Sequence, residues 1–161
     1  MRRHERAVTS FSSMLSILER CDCCRLAFSD AGSAPYIVPM NFGYQAKGEQ
    51  LVLYFHCASD GKKLQCLQQD PLVGFELDTG HRRLPGPSPC SFSFCYQSII
   101  GQGRLELLTE PAEKAAALTL LLAHYSEAPV VGFPPEALNH VAAMKLSVTE
   151  WTCKEHRPPE D

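Results

Sequence analysis

Alternation with a period of two is clearest where Leu51, Leu53 and Phe55 interleave with Val52, Tyr54 and His56, and it predicts a strand over residues 50–57. Similar runs predict strands over 23–28, 35–44, 72–78, 91–108 and 142–152. In the second of these, Tyr36, Val38, Met40, Phe42 and Tyr44 share a face. Pro39 lies inside that run and has no N–H to donate, so the strand there is expected to be an edge or to carry a bulge. Gly101 and Gly103 interrupt the 91–108 run and mark a bulge, or a close approach of another backbone or a ligand. Helical spacing appears over 10–20, where Phe11, Met14, Leu15 and Leu18 fall on one face behind Thr9 or Ser10 as cap. It recurs over 62–69, with Leu64, Leu67 and Gln68 in phase, Ser59 or Asp60 as N-cap, and Asp70-Pro71 as the stop. Pro111 suits the first turn of a third helix through residue 125, whose expected stripe is Leu118, Leu121, Leu122 and Tyr125. Residues 136–140 read as a helical turn, 29–33 and 47–49 as turns, and 128–135 as a Pro-rich loop. Residues 79–89 hold three prolines, two glycines and His81-Arg82-Arg83, and read as an exposed loop.

Six strands, the early ones joined by short hairpins, with two or three helices predict a mainly β, α+β fold. The expected form is one antiparallel sheet closed into a barrel with helices packed outside. At 161 residues the chain is expected to be one domain, with residues 1–9 and 155–161 as loose tails. The last strand holds an anomaly. Met144, Leu146 and Val148 point one way, yet Trp151 shares the phase of Lys145, Ser147 and Thr149. Either the strand bulges, or the lone tryptophan leaves the core to meet a partner subunit or a planar cofactor. A tryptophan covering the barrel end is the plainer alternative.

The net charge of −3, without a basic stripe, argues against sequence-independent nucleic-acid binding. No apolar run approaches the ~20 residues that span a bilayer. Residues 1–13 lack the apolar segment and cleavage site of a signal peptide, so a cytoplasmic protein is the default expectation. Eight cysteines, at 21, 23, 24, 57, 66, 90, 95 and 153, change the picture little. Without an export signal a disulfide framework is not expected. Cys21 and Cys24 have C-x-x-C spacing, but they follow a helix, whereas the redox motif precedes one. The looser Cys90 and Cys95 make a poor second pair for zinc. Buried thiols acting as small hydrophobes are the favoured reading, and no metal site is expected.

The candidate chemistry lies where the 50–57 strand hands over to the next helix. Lys62 and Lys63 open that helix, although its N-terminus already carries partial positive charge and free N–H groups. An anion there would reverse the sign of each term, so the segment reads as a phosphate cradle with His56 and Ser59 as further donors. The alternative is a solvated lysine pair. No carboxylate pair, Ser/His/Asp set or P-loop is present.

Four blocks in order carry a resemblance: Ile37-Val38-Pro39-Met40-Asn41-Phe42-Gly43-Tyr44, Leu53-Tyr54-Phe55-His56-Cys57-Ala58, Gly61-Lys62-Lys63, and Tyr96-Gln97-Ser98-Ile99-Ile100-Gly101-Gln102-Gly103. Over nearly its whole length the chain resembles the nitroimidazole-resistance branch of the pyridoxamine 5′-phosphate oxidase-like flavoproteins. The resemblance implies a six-stranded split barrel that forms a homodimer with FMN in a cleft between subunits. It implies Val38, Pro39, Met40 and Asn41 along the flavin ring, and His56, Ser59, Lys62 and Lys63 on the phosphate or ribityl chain. It further implies Ser98 and Ile99 from the long strand, and Trp151 approaching the ring. His56 is the one catalytic candidate. Lys62 stands where the family often has arginine, which keeps the charge and loses the bidentate fork. The arginine and histidine pattern of true pyridoxamine phosphate oxidases is not evident near the C-terminus. The implied activity is FMN-dependent transfer of electrons to a small organic acceptor, nitroaromatics among the candidates, with NAD(P)H as a candidate donor. The alternative is a flavin- or haem-binding protein without turnover. His81, Arg82 and Arg83 are either solvated or grip a nicotinamide phosphate.

Overall fold

The computed structural model describes residues 3–129 and 132–157, so residues 1–2, 130–131 and 158–161, with parts of both tails and of the Pro-rich loop, lie outside the described residues. The strands are β1 (Ala7–Val8), β2 (Cys24–Phe28), β3 (Tyr36–Met40), β4 (Gly43–Lys47), β5 (Gln50–Ala58), β6 (Leu72–Leu84), β7 (Ser93–Leu108) and β8 (Val141–His156). The helices are α1 (Phe11–Leu18), α2 (Lys62–Gln69), α3 (Pro111–Tyr125) and α4 (Pro135–Asn139). The strands form one antiparallel sheet in the order β3-β2-β6-β7-β8-β5-β4, and β1 pairs with β8. The ladder ends at β3 on one side and β4 on the other, so the barrel is split and not closed, and it has eight strands where six were expected.

The single strand expected over 35–44 is two. β3 pairs with β2 and β4 pairs with β5, so the chain changes partner at Asn41-Phe42. Pro39 does lie on an edge strand, because nothing pairs with the other side of β3. The expected loop over 79–89 is largely strand: β6 runs to Leu84, with a register shift between Thr79 and Arg82. The expected loose tails are partly regular. Ala7 and Val8 pair with Lys154 and Cys153, and β8 extends through His156.

The core fills the inner face of the sheet. Leu26, Phe28, Phe55, Phe75, Leu77, Ile99 and Leu146 meet Ile17 and Leu18 of α1 and Leu64 and Leu67 of α2. At ~25 cal/mol per Å² of apolar surface removed from water, each such side chain contributes roughly 1.5–3 kcal/mol. α3 packs outside, with Ala117 and Leu121 buried, while Leu122 and Tyr125 of the expected stripe are each 40% exposed. α3 comes so close to β4 that a Cβ on Gly43 would overlap the backbone of Leu120 and Leu121.

The Trp151 anomaly is a bulge. Gln102 pairs with Glu150 and Gly103 with Val148, which leaves Thr149 as an extra residue. The insertion resets the alternation, so Trp151 and Cys153 rejoin the inner face. Gly103 approaches the Ser147 carbonyl too closely for a side chain, and a Cβ on Gly101 would sit 2.6 Å from the Glu150 carbonyl.

Candidate functional site

β5 ends at Ala58, and the N-cap of α2 is Gly61, not Ser59 or Asp60. Gly61 has φ 118°, a conformation that strains any residue with a Cβ. Its carbonyl accepts from the N–H groups of Leu64 (3.1 Å) and Gln65 (3.3 Å). The N–H groups of Lys62 and Lys63 precede those first helical bonds and point out of the helix. Nothing lies within 4 Å of where a Gly61 Cβ would be, so the space on that side of the N-cap is open. The two lysines diverge. Lys62 Nζ pairs with Asp30 Oδ2 at 2.7 Å and stands 5.0 Å from the centroid of the Tyr36 ring. The Asp30 hydrogen bond raises the pKa of Lys62. Lys63 is half-buried and acts on the Cys57 thiol, whose pKa burial raises and the ammonium lowers.

One contact lays β3 beside the start of α2. Tyr36, at one end of β3, sits under Lys62. At the other end, the β4–β5 ladder stops at Gly43 opposite Tyr54, two residues short of Asn41 and His56. Val38 and Met40 face the core, whereas Pro39 and Asn41 are exposed. His56 is also exposed, on the outer face of β5 opposite Ala143 of β8. Through Tyr36 and Lys62 the fold sets one end of β3 beside the N-terminus of α2, and Asn41, His56 and Ser59 are exposed.

The remaining expected residues lie elsewhere. Ile99 is 0% exposed between Leu77 and Cys153, so its side chain belongs to the core. Ser98 is half-buried on the opposite, outer face between Asp78 and Lys154. Trp151 meets Phe11 of α1 edge-on, with centroids 5.8 Å apart, so within one chain it covers the barrel end.

Sequence reasoning missed three residues: Asp30 beside Lys62, and Tyr125 and His124 where β3 gives way to β4. Asp30 lies in the β2–β3 turn and was read as turn chemistry alone. Tyr125 was read as packing, yet its hydroxyl accepts from the Phe42 N–H and donates to the Asp22 carbonyl, both at 3.0 Å. These bonds pin the end of α3 to the point where β3 gives way to β4. His124 adds to the clasp, with Nε2 2.8 Å from the Cys21 carbonyl oxygen and its ring 4.4 Å from that of Phe42. An aromatic pair at the end of a helix was the available signal.

The eight cysteines are free thiols. Burial pushes Cys21 and Cys153 up to about 12 and holds Cys24 well above its ordinary value. A redox C-x-x-C motif needs the opposite shift, so Cys21 and Cys24 are core residues. Among the described residues no three His, Cys, Asp or Glu side chains gather as a metal site. No helix among them is long and apolar enough to cross a membrane.

Comparison with known proteins agrees with this architecture. Among solved structures, a candidate 5-nitroimidazole antibiotic resistance protein from Bacteroides thetaiotaomicron VPI-5482 is 28% identical, with a TM-score of 0.80 over 92% of this chain and 86% of that one. A flavocytochrome from Azotobacter vinelandii is 21% identical, with a TM-score of 0.80 over 99% of this chain and 73% of that one. An FAD and heme binding protein from Mycobacterium smegmatis is 18% identical, with a TM-score of 0.81 over 97% and 76%. At these last two identities the likeness speaks to fold alone. A search of curated proteins finds no match. The family model described as pyridoxamine 5′-phosphate oxidase matches residues 12–155, nearly the whole described chain, and the protein belongs to that family.

Proposed function

We propose that this protein binds FMN at the opening between β3 and α2 and works as an FMN-dependent oxidoreductase on a small organic acceptor, nitroaromatics included, with NAD(P)H as donor. The observation that carries the proposal is the mouth of α2, where outward N–H groups and the Lys62 ammonium stand beside the edge strand β3, with Lys63 in the same helical turn. That donor set fits a phosphate monoester, which accepts several hydrogen bonds and carries the charge a helix N-terminus favours. Lys62, Lys63, Ser59 and His56 would hold the phosphate and ribityl chain. The free backbone edge of Val38, Pro39, Met40 and Asn41 would meet the polar edge of the ring. Bound FMN would supply the electron-transfer chemistry. His56, exposed near the end of β5, would donate a hydrogen bond near the acceptor.

The same proposal includes a homodimer. The outer face of β3, β2, β6 and β7 carries Ile37 (61% exposed) and Ile100 (60% exposed) beside the half-buried Arg25–Glu76–Asp78 ion cluster, with Pro39 and Ser98 alongside. A second copy would cover the two isoleucines and bring Ser98 to the partner's flavin.

Purified protein should be yellow or should take up FMN, and NADPH or NADH added anaerobically should bleach it, with an acceptor restoring the colour. Bound flavin that no donor reduces would leave a flavin carrier in place of an enzyme. Lys62→Ala with Lys63→Ala should weaken FMN more than riboflavin, because FMN alone has the phosphate. Equal losses for the two would remove the anion from this mouth.

A further inference from the structure

Beyond the barrel, β6, β7 and β8 overrun the end of α1, and their inner faces form a second polar cleft of about 290 Å³. Arg20, Arg82 and Arg157 line it, with Tyr96 and His156 at its rim. Its charges are unbalanced. Glu155 is the carboxylate in the lining, and it is already shared by Arg157 (Nε–Oε1 2.5 Å) and the amide of Gln97. Arg20 is aimed by neutral acceptors: Nη2 donates to Gln97 Oε1 at 2.9 Å and Nη1 to Ser16 Oγ at 2.8 Å. Its backbone is held too, since Thr79 Oγ1 donates to the Arg20 carbonyl at 3.0 Å. A guanidinium fixed by uncharged groups keeps its full charge for something else. Arg82 follows the register shift in β6, opposite Cys95, and among the described residues it has no acidic partner. The cleft continues past Arg20, Gln97, Glu155 and Arg157 into a groove of about 420 Å³ along α1.

We infer that this cleft binds the phosphate group of a small molecule, at a site separate from the mouth of α2. Three guanidinium groups against one carboxylate leave two uncompensated positive charges, which match a phosphate monoester. Arginine forks suit its oxygen geometry. The Tyr96 and His156 rings, with centroids 6.1 Å apart and planes at 59°, offer an aromatic flank for the organic part. The phosphate could arrive free or on a nucleotide, and the two sources differ in their use of that flank.

The test is calorimetric titration of the FMN-loaded protein with 5′-AMP, inorganic phosphate and adenosine. AMP should bind and adenosine should not. Phosphate equal to AMP would identify a free-anion site, and AMP tighter than phosphate a nucleotide site; both support the inference. Arg82→Gln, at an exposed residue outside the core, should lower AMP affinity by about tenfold and leave FMN affinity unchanged. Arg20→Gln should do the same, with its thermal midpoint showing that the fold survives. Absence of AMP binding, equal binding of AMP and adenosine, or variants that lose FMN while keeping AMP would each overturn the inference. Because FMN is read separately, failure here is distinct from failure at the mouth of α2.

Discussion

Lys62 reaches across 2.7 Å to Asp30, and this ion pair ties the mouth of α2 to the β2–β3 turn. Asp30 is the more buried partner, with a side chain 20% exposed against 53% for Lys62. A phosphate entering the mouth must compete with that carboxylate for the ammonium. Asp30→Asn should therefore tighten FMN by roughly threefold and leave riboflavin unchanged. Flavin fluorescence titration reads both, and weaker FMN binding in the variant would show that the pair positions Lys62 rather than competing for it.

Tyr125 clasps the strand switch. Tyr125→Phe removes the bond from the Phe42 N–H and the bond to the Asp22 carbonyl, and leaves a backbone donor without its acceptor. A cost of about 1–3 kcal/mol is expected. Urea unfolding should show a lower midpoint with an unchanged slope. An unchanged midpoint would mean that water replaces the hydroxyl without penalty.

Gly43 owes its place to the crossing of α3, since its φ is not in the left-handed region. Gly43→Ala forces α3 away from β4, and overpacking of this kind costs about 1–3 kcal/mol. Gly74→Ala is the control, because its added methyl would lie 3.8 Å from Ala27 Cβ, an ordinary contact. Thermal denaturation of the two variants should separate them; similar midpoints would show that α3 yields freely.

Buried thiols make the fold sensitive to alkali. Cys21 and Cys153 are held up to about 12, against an ordinary value of 9.0. Their folded forms keep protons that the unfolded chain releases, so the stabilisation is full below pH 9 and is lost as pH rises toward 12. Each thiol would contribute a slope of roughly 1.4 kcal/mol per pH unit in that window. Cys153→Ala should flatten the decline of stability between pH 9 and 11, measured by denaturant titration. A decline identical to that of the unaltered protein would mean that other groups set the alkaline limit.

Most elements were legible because their causes are local. Phe11 to Leu18 and Leu51 to Phe55 each carry their own period, Pro111 opens α3, and the caps and prolines that bound these elements act on neighbouring residues. The break at Asn41-Phe42 was not legible, since Tyr36 to Tyr44 alternates without interruption. Only the choice of β2 and then β5 as partner divides it. Thr149 likewise looks like any polar strand residue until Gln102 and Gly103 set the register against it. Lys62 announced its surplus charge in the sequence, but the carboxylate that answers it stands 32 positions earlier in an ordinary turn.

Period, turn chemistry and the placement of cations were written in the order of the amino acids, because each depends on residues within a few positions of one another. The strand that changes partner, the tryptophan returned to the core, and the meeting of β3 with the mouth of α2 arise between distant segments. Those contacts exist only after backbone pairing and burial have chosen one arrangement of the whole chain.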